Sequence, residues 1–330
     1  MIKNWLAAGA VALSLGLTAT AAQAQTTTVP GEQVGLATGA PLPEGIYALN
    51  TFLYRTPDAS PANIGVDVGV NIPVLVWSTP LVPFGGRIEL LLAPPTVFTF
   101  GRQSGANGLG RDTSINVGTF VGGIWAFNLG GNVGVSLLGG VYLNELNGDR
   151  GVLTTNAGGF AGLATPQLAS NTYRAGIAIS YTGDGYNLTA NLTGNFYDSP
   201  ATFSGNNSFG TRGPFIISDS LNLDLTATKK FGKFEIGAIG YGTVNLDTSF
   251  NSLAFNNRGR FALGALIGYD FGPVTAQVYA AHDVVSSARF TTAAGNTRED
   301  LRTEIWGRLI VPLYSPTPVA AAPTPIVRKY

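Results

Sequence analysis

One histidine and the serines near it are the residues of this chain best suited to nucleophilic chemistry. His282 is the only histidine, and Ser286 and Ser287 follow it closely. A serine hydrolase needs a nucleophile, a base and a third group that orients the base. The G-x-S-x-G turn that often carries such a serine is absent from the sequence. We therefore expect His282 to have no catalytic role and the protein not to be an enzyme.

Metal, cofactor and nucleic-acid sites are disfavoured by the composition. One histidine and no cysteine leave too few ligands for a typical zinc site. No G-x-x-x-x-G-K-[ST] loop is present, and no G-x-G-x-x-G follows a predicted strand. Nineteen basic residues balance nineteen acidic ones, whereas a nucleic-acid binder needs a basic surplus. We expect no metal, no cofactor and no nucleic-acid partner.

Polar side chains at every second position form the most coherent pattern. Asn187, Thr189 and Asn191 alternate with apolar residues, as do Asp224 and Thr226 further along. Side chains of a strand alternate between its two faces, so each segment has one apolar and one polar face. If the apolar faces meet lipid, the polar faces line a lumen. The candidate residues for lining this lumen and contacting a solute are Asp67, Asn71, Arg87, Glu89, Arg174, Asn191, Asp224, Glu235, Gln277, Asp283, Arg302, Glu304 and Arg308.

The charges of this set are mixed in sign, which argues against an ion-selective ring. Two interpretations stay open: pairs that brace the lumen, or a track for a solute. Asp283 and Arg302 flank the last long connection, so we expect them to face each other across that hairpin. Inward positions such as Phe120, Gly122 and Leu266 are small or apolar. They suit either an amphiphilic or aromatic solute or plain interior packing.

The elements that position these residues are strands. About twelve segments of roughly ten residues show a period of two between residues 44 and 314, which is enough for each to cross a bilayer. Short connections alternate with long ones, the latter over 55–63, 101–113, 144–171, 198–217, 248–259 and 286–300. Tight turns at one end and long loops at the other are typical of outer-membrane barrels. We predict an all-β fold: a transmembrane antiparallel up-and-down barrel of about twelve strands, too narrow for a wide porin channel.

Aromatic residues are concentrated near the predicted strand ends, among them Trp77, Trp125, Trp306 and Tyr314. Such positions favour girdles at the two membrane interfaces. Only 12% of the residues are charged, while 45% are hydrophobic. Soluble domains usually carry about 25% charged residues. The composition therefore also favours a wall that faces lipid.

The two ends of the chain lie outside the predicted barrel. Residues 1–24 are predicted to be a signal peptide, with Lys3, a short apolar stretch and an A-x-A site that places cleavage before Gln25. Residues 25–42 are predicted to be a flexible lead-in to a barrel over 43–314. Residues 315–330 are predicted to be a disordered, Pro/Ala-rich periplasmic tail. Export and the barrel together predict the bacterial outer membrane as location.

Two stretches resemble a family of outer-membrane proteins named for the meta-pathway of phenol degradation. The first is Leu42 to Tyr47 with Asn50, Phe52 and Tyr54, which resembles that family's first strand. The second runs from Gly268 to Val274, then through Asp283 to Leu313, and is similar to its closing strands. The resemblance covers about residues 42–314. The Pro/Ala tail departs from the family pattern, and it leaves Tyr314 or Tyr330 as the aromatic read during assembly. We favour Tyr314.

This resemblance implies a channel for the passive uptake of small hydrophobic or aromatic compounds. The partners implied are outer-membrane lipid, the barrel assembly machinery and the solute itself, with the protein a monomer. One alternative is a plugged structural or adhesin-type barrel whose loops bind other molecules. A less favoured alternative is an outer-membrane lipid hydrolase, which would need His282 on the lipid face beside a serine.

Overall fold

The computed structural model describes residues 28–56, 66–101, 113–116, 118–143, 171–197, 219–246, 259–287, 289–291, 297–299 and 301–316. The predicted signal peptide, most of the predicted long loops and the tail beyond residue 316 lie outside these ranges. Within them, no helix is both long and apolar enough to cross a membrane.

The described chain is almost entirely strand. Two short 3₁₀ turns, Pro83–Gly85 and Gly183–Gly185, occur in connections between strands. The strands are β1 (Gly45–Thr56), β2 (Val66–Ser78), β3 (Gly86–Ala93), β4 (Thr96–Gly101), β5 (Thr113–Asn116), β6 (Thr119–Gly130), β7 (Val133–Leu143), β8 (Asn171–Tyr181), β9 (Tyr186–Tyr197), β10 (Ser220–Phe231), β11 (Phe234–Asn245), β12 (Gly259–Asp270), β13 (Thr275–Ser286), β14 (Arg289–Thr291), β15 (Thr297–Glu299) and β16 (Thr303–Tyr314).

The sheet closes on itself. β1 pairs antiparallel with β2 on one side and with β16 on the other, and every other wall strand pairs with its neighbours along the chain. Two wall strands are each made of two segments, β3 with β4 and β5 with β6, so the described wall has twelve strands. A separate hairpin is formed by β14 and β15. The predicted twelve-stranded barrel is confirmed. Closure leaves no unpaired edge, which a bilayer without hydrogen-bond partners requires.

The third wall strand, predicted to run over 86–100, is divided. The pairing of β2 with β3 ends at Leu75 and Leu92, and its pairing with β4 begins at Asn71 and Thr96. Pro94 and Pro95 stand between the two segments. Proline has no backbone N–H to donate to a ladder, so the pairing stops there.

The short turns gather at one end of the barrel. Positive backbone φ angles occur there at Asn132 (64°) and Gly232 (63°), as tight hairpins demand. Gly45 and Tyr314, the two ends of the barrel wall, lie at this end as well, since they begin β1 and end β16. The alternation of short turns with long connections is therefore confirmed.

The outer face is apolar, with aromatic residues concentrated at the short-turn end. Ile177, Ile267 and Val278 are 50%, 58% and 50% exposed. The rings of Trp125 and Phe127 lie 4.7 Å apart, and other close pairs at this end are Phe234 with Tyr269 and Tyr269 with Phe271. This is the arrangement of an interfacial girdle.

Trp306 is an exception to the predicted girdles. It is 1% exposed and points into the barrel, where its ring stacks on Tyr279 at 5.4 Å. Its indole N–H donates to the Tyr241 hydroxyl at 3.1 Å. The alternation of β16 puts Trp306 on the same face as Glu304 and Arg308, so the expectation of an interfacial position was wrong for this residue.

Candidate functional site

The lumen holds the N-terminal segment of the chain. Residues 28–42, here called the plug, run from the half of the barrel near the long loops to the short-turn end. The composition of residues 25–42 predicts a flexible lead-in. From Thr28 onward the structure instead gives this segment a defined path, with hydrogen bonds to strands on all sides of the wall.

Plug amides donate to side chains of the wall at every fourth residue. Gly31 N–H donates to Asp224 at 2.8 Å, and Gly35 N–H donates to Thr226 at 2.8 Å. Gly39 N–H donates to Ser180 at 2.9 Å. At the short-turn end, Leu42 N–H donates to Glu89 at 2.7 Å. Polar residues predicted to line the lumen thus bind the protein's own backbone.

Arg308 holds the middle of the plug from the opposite wall. Its guanidinium donates to the carbonyl of Val34 at 2.6 Å and also to the carbonyl of Glu32. The same side chain donates to Thr51 at 2.9 Å and to Gln277 at 3.2 Å. Five fixed N–H groups suit arginine to gathering several acceptors. Arg308 therefore ties the plug to three different strands of the wall.

Two plug glycines lie too close to the wall for any side chain. A Cβ on Gly35 would come within 2.6 Å of Leu266, and the backbone φ there is +83°. A Cβ on Gly39 would come within 2.5 Å of the Ser180 nitrogen. The plug can follow this path only because these residues are glycine.

Among the described residues, charged groups of the lumen form two ion-pair sets. Glu304 accepts from Arg260 at 2.7 Å and from Arg55 at 3.3 Å, and Arg260 also pairs with Asp283 at 3.2 Å. Separately, Arg174 pairs with Glu32 of the plug at 2.7 Å. The Arg302 N–H donates to Asp283 at 3.2 Å, so these residues face each other as predicted.

One side of the lumen is apolar. Val68, Val70 and Ile72 of β2 are buried and belong to one cluster with Leu53, Leu266 and Trp306. Val34 of the plug is fully buried in that cluster. Phe120 and Tyr142 form a second cluster, with ring centroids 4.9 Å apart. The lumen thus has an apolar side and a polar side, and the plug contacts both.

Most predicted lumen residues lie on the inward face. Those found there are Arg87, Glu89, Arg174, Asn191, Asp224, Glu235, Gln277, Asp283, Arg302, Glu304 and Arg308. Asn71 pairs with the outward-facing Phe52, so its predicted inward position is wrong. On β2 the valines, not the polar residues, face inward. The Asp67 side chain lies outside what the structure describes.

Four further residues line the lumen that were not among the predicted ones: Arg55, Arg260, Tyr241 and Tyr279. Arg55 stood in a predicted loop and Arg260 at the edge of a predicted strand. The two tyrosines are buried with hydroxyls bonded to Glu304 and to the carbonyl of Gly31. Strand parity could have found all four, because each is an even number of residues from another inward position.

His282 lies on the outward face of β13 and is exposed. Its Nδ1 is 2.9 Å from the Thr303 hydroxyl, and its strand partners are Leu263 and Thr303. Ser286 is buried on the opposite face, and Ser287 bonds to Gly259. No serine thus lies beside His282 in the described part of the chain, and no cluster of three potential metal ligands occurs there.

The chain is similar to one protein family and to several solved barrels. The family described as "Putative MetA-pathway of phenol degradation" matches residues 50–298. A crystal structure of an outer membrane channel from Pseudomonas putida F1 is similar with a TM-score of 0.58 and 13% identity, over 83% of this chain and 97% of that one. This likeness shows that the fold is that of an outer-membrane channel.

Two other solved structures are more distant. The NanC porin gives a TM-score of 0.43 and 8% identity over 80% of this chain and 98% of that one. The TodX monoaromatic hydrocarbon channel gives a TM-score of 0.38 and 10% identity over 82% of this chain and 92% of that one. No curated protein matches the chain.

Proposed function

Because the chain belongs to the family described by the MetA-pathway of phenol degradation, we propose that it is an outer-membrane channel for passive uptake of small hydrophobic or aromatic compounds. Export with cleavage before Gln25, insertion by the barrel assembly machinery and a monomeric state are parts of this proposal.

The observation that carries the proposal is the position of Val34. This plug side chain is fully buried inside the barrel, in one cluster with Leu53, Leu266 and Trp306. A water-filled porin lumen is polar. Here the lumen buries an apolar side chain, and a small apolar solute would bury its surface there in the same way.

Passage requires the plug to move. Among the described residues, the plug is held by hydrogen bonds and one ion pair, and Pro43 links it to β1 at the short-turn end. A solute would then cross between the apolar side of the lumen and the polar residues opposite. When the plug leaves, three wall residues lose a hydrogen bond to it and become available to a solute. They are Asn191, Gln277 and Arg308, which bond to Gln33, Gly35 and Val34 respectively.

The test is single-channel conductance of the refolded mature protein in planar bilayers, beside a variant that lacks residues 28–42. We expect small, infrequent openings from the full chain and large, steady steps from the deletion variant. Toluene or phenol should block those steps reversibly. Folding of both proteins is checked by their altered migration in unheated gels. A folded deletion variant whose conductance no aromatic solute changes would contradict the proposal.

The occupied lumen also supports a second candidate, the plugged structural or adhesin-type barrel. In that case the plug would be a permanent part of the interior. The full chain would never open under any voltage or solute, and cells carrying it would bind a surface or partner that cells without it do not. Openings of the full chain that increase with aromatic solute would exclude this candidate.

A further inference from the structure

Four polar side chains near Thr28, at the N-terminal end of the plug, have atoms without hydrogen-bond partners in the described chain. They are Asn195, Ser220, Asn222 and Thr243, here called the polar shelf. The buried atoms Asn195 Nδ2, Ser220 Oγ, Asn222 Oδ1 and Thr243 Oγ1 have no hydrogen-bond partner within the described chain. Asn195 and Ser220 are 0% exposed and Asn222 is 2% exposed. Buried polar groups are nearly always satisfied, so such a group of exceptions points to a missing partner.

The four residues are neighbours on three adjacent strands. Ser220 of β10 is paired with Asn195 of β9, and Asn222 of β10 is paired with Thr243 of β11. Ser220 and Asn222 are two residues apart and so share the inward face. Paired residues of antiparallel strands lie about 5 Å apart, and diagonal neighbours about 7–8 Å. One small molecule can therefore contact the whole shelf.

Thr28, the first described residue of the plug, already bonds to one atom of each amide of the shelf. The Thr28 hydroxyl donates to Asn195 Oδ1 at 2.5 Å, and Asn222 Nδ2 donates to the Thr28 carbonyl at 3.4 Å. Each amide thus holds Thr28 with one atom and leaves its other atom unsatisfied. A hydroxyl group that replaced Thr28 could bond to as many as three of the shelf's atoms, donating to one and accepting from two.

We propose that the polar shelf binds an uncharged solute that carries a hydroxyl group, and that this binding displaces Thr28 and so loosens the plug. The proposal rests on the proposed channel function and narrows its solute class. In this proposal, binding of the solute is the first step in opening the channel.

The chemistry of the shelf selects the solute. Its free atoms are one amide donor, one amide acceptor and two hydroxyls, and none carries a formal charge. A hydroxyl donates once and accepts up to twice, so it can bond to an amide and a hydroxyl of the shelf together. A plain hydrocarbon can make none of these bonds and would leave the groups buried and unpaired. Phenol should therefore act where toluene, with the same ring, does not.

The absence of cysteine from the sequence permits a direct test. Val34→Cys places one thiol on the fully buried centre of the plug. Its reaction with a membrane-impermeant maleimide in proteoliposomes then reports release of the plug. We expect phenol to accelerate labelling about fivefold in a saturable manner, the factor expected for one net hydrogen bond gained. Toluene at the same concentration should leave the rate unchanged.

The decisive variant combines Ser220→Ala with Thr243→Val in the Val34→Cys protein, because neither hydroxyl contacts the plug among the described residues. It should keep the basal labelling rate and lose the response to phenol. The matched control is Thr228→Val, an inward residue of β10 near the short-turn end whose hydroxyl already bonds to Glu235 at 2.6 Å. That control should respond to phenol as the parent does.

Three results would overturn the proposal. Equal acceleration of labelling by toluene would mean that the shelf does not recognise the hydroxyl group. An unchanged response to phenol in the double variant would mean that the shelf is not the binding site. No effect of phenol on the parent would mean that only water occupies the shelf. In each case, block of the plug-deleted channel by aromatic solutes would still support the proposed function.

Discussion

Glu304 is the carboxylate that two buried arginines of the lumen share. It accepts from Arg55, Arg260 and the Tyr241 hydroxyl, and it is 1% exposed. Removing one partner of a buried ion pair leaves the other charge without compensation, which costs more than the pair itself contributes. The mixed charges that the sequence placed on the inward face are therefore bracing pairs at this point of the barrel.

Glu304→Gln keeps the size of the side chain but leaves Arg55 without an acidic partner among the described residues. We expect the free energy of unfolding to fall by about 3–5 kcal/mol. Urea titration in detergent, followed by tryptophan fluorescence, measures it. Glu44→Gln is the matched control, since Glu44 precedes β1 and forms no ion pair in the described chain. An equal loss in both variants would contradict the assigned role of Glu304.

At the scale of elements, the plug fits inside the wall because glycines, which have no side chain, stand where its backbone comes closest to the wall. Gly31, Gly35 and Gly39 repeat at every fourth residue, and each brings its N–H against a wall side chain. The plug consists of turns, and three of its amides bond within it: Glu32 to the Val29 carbonyl, Leu36 to the Gln33 carbonyl and Ala40 to the Ala37 carbonyl. Other amides and carbonyls of the plug bond to side chains of the wall, which accounts for many of the polar groups inside.

Gly35→Ala should displace the plug without unfolding the barrel. A Cβ there would meet Leu266 at 2.6 Å, on a backbone whose φ of +83° already disfavours a side chain. We expect channel openings in planar bilayers to become frequent, while migration in unheated gels stays that of a folded barrel. Gly307→Ala on β16 is the control, because a Cβ there meets nothing within 4 Å. Unchanged gating in Gly35→Ala would show that the plug tolerates the clash.

At the scale of the whole molecule, the outer face decides the environment. Apolar side chains cover the middle of the barrel, and aromatic pairs lie at the short-turn end. In a bilayer this surface is solvated by lipid; in water it would be a large exposed hydrophobic patch. Lipid therefore accounts for both features: it offers no hydrogen-bond partners, so the wall must close, and it solvates an apolar exterior.

The cost of a charge on the outer face should depend on its height. Ile177→Lys, in the middle of β8, is expected to reduce the free energy of unfolding in lipid by about 2–4 kcal/mol. Leu129→Lys, beside the turn that follows β6, should cost about 0–1 kcal/mol. Denaturant titration in liposomes measures both. Equal costs at the two positions would contradict the placement of the short-turn end at the membrane interface.

The sequence by itself determined the strands, their number and which face of most strands is polar. These follow from alternation within one segment, and eleven of the thirteen predicted lumen residues were found inward. Asn71 was misplaced because both faces of β2 carry residues that fit either side. The valines of β2 face the lumen rather than lipid. Alternation shows that a strand has an apolar face, but it does not show whether that face lies against the lumen or against lipid.

Only the tertiary structure decided that the lumen is occupied. A Thr-, Gly- and Pro-rich stretch has no periodicity, so its composition predicts a flexible lead-in. Its order comes instead from groups far away in sequence: Asp224, Arg308 and Ser180 are each more than a hundred residues from their plug partners. Such long-range hydrogen bonds exist only after the barrel has closed and brought these strands around one axis.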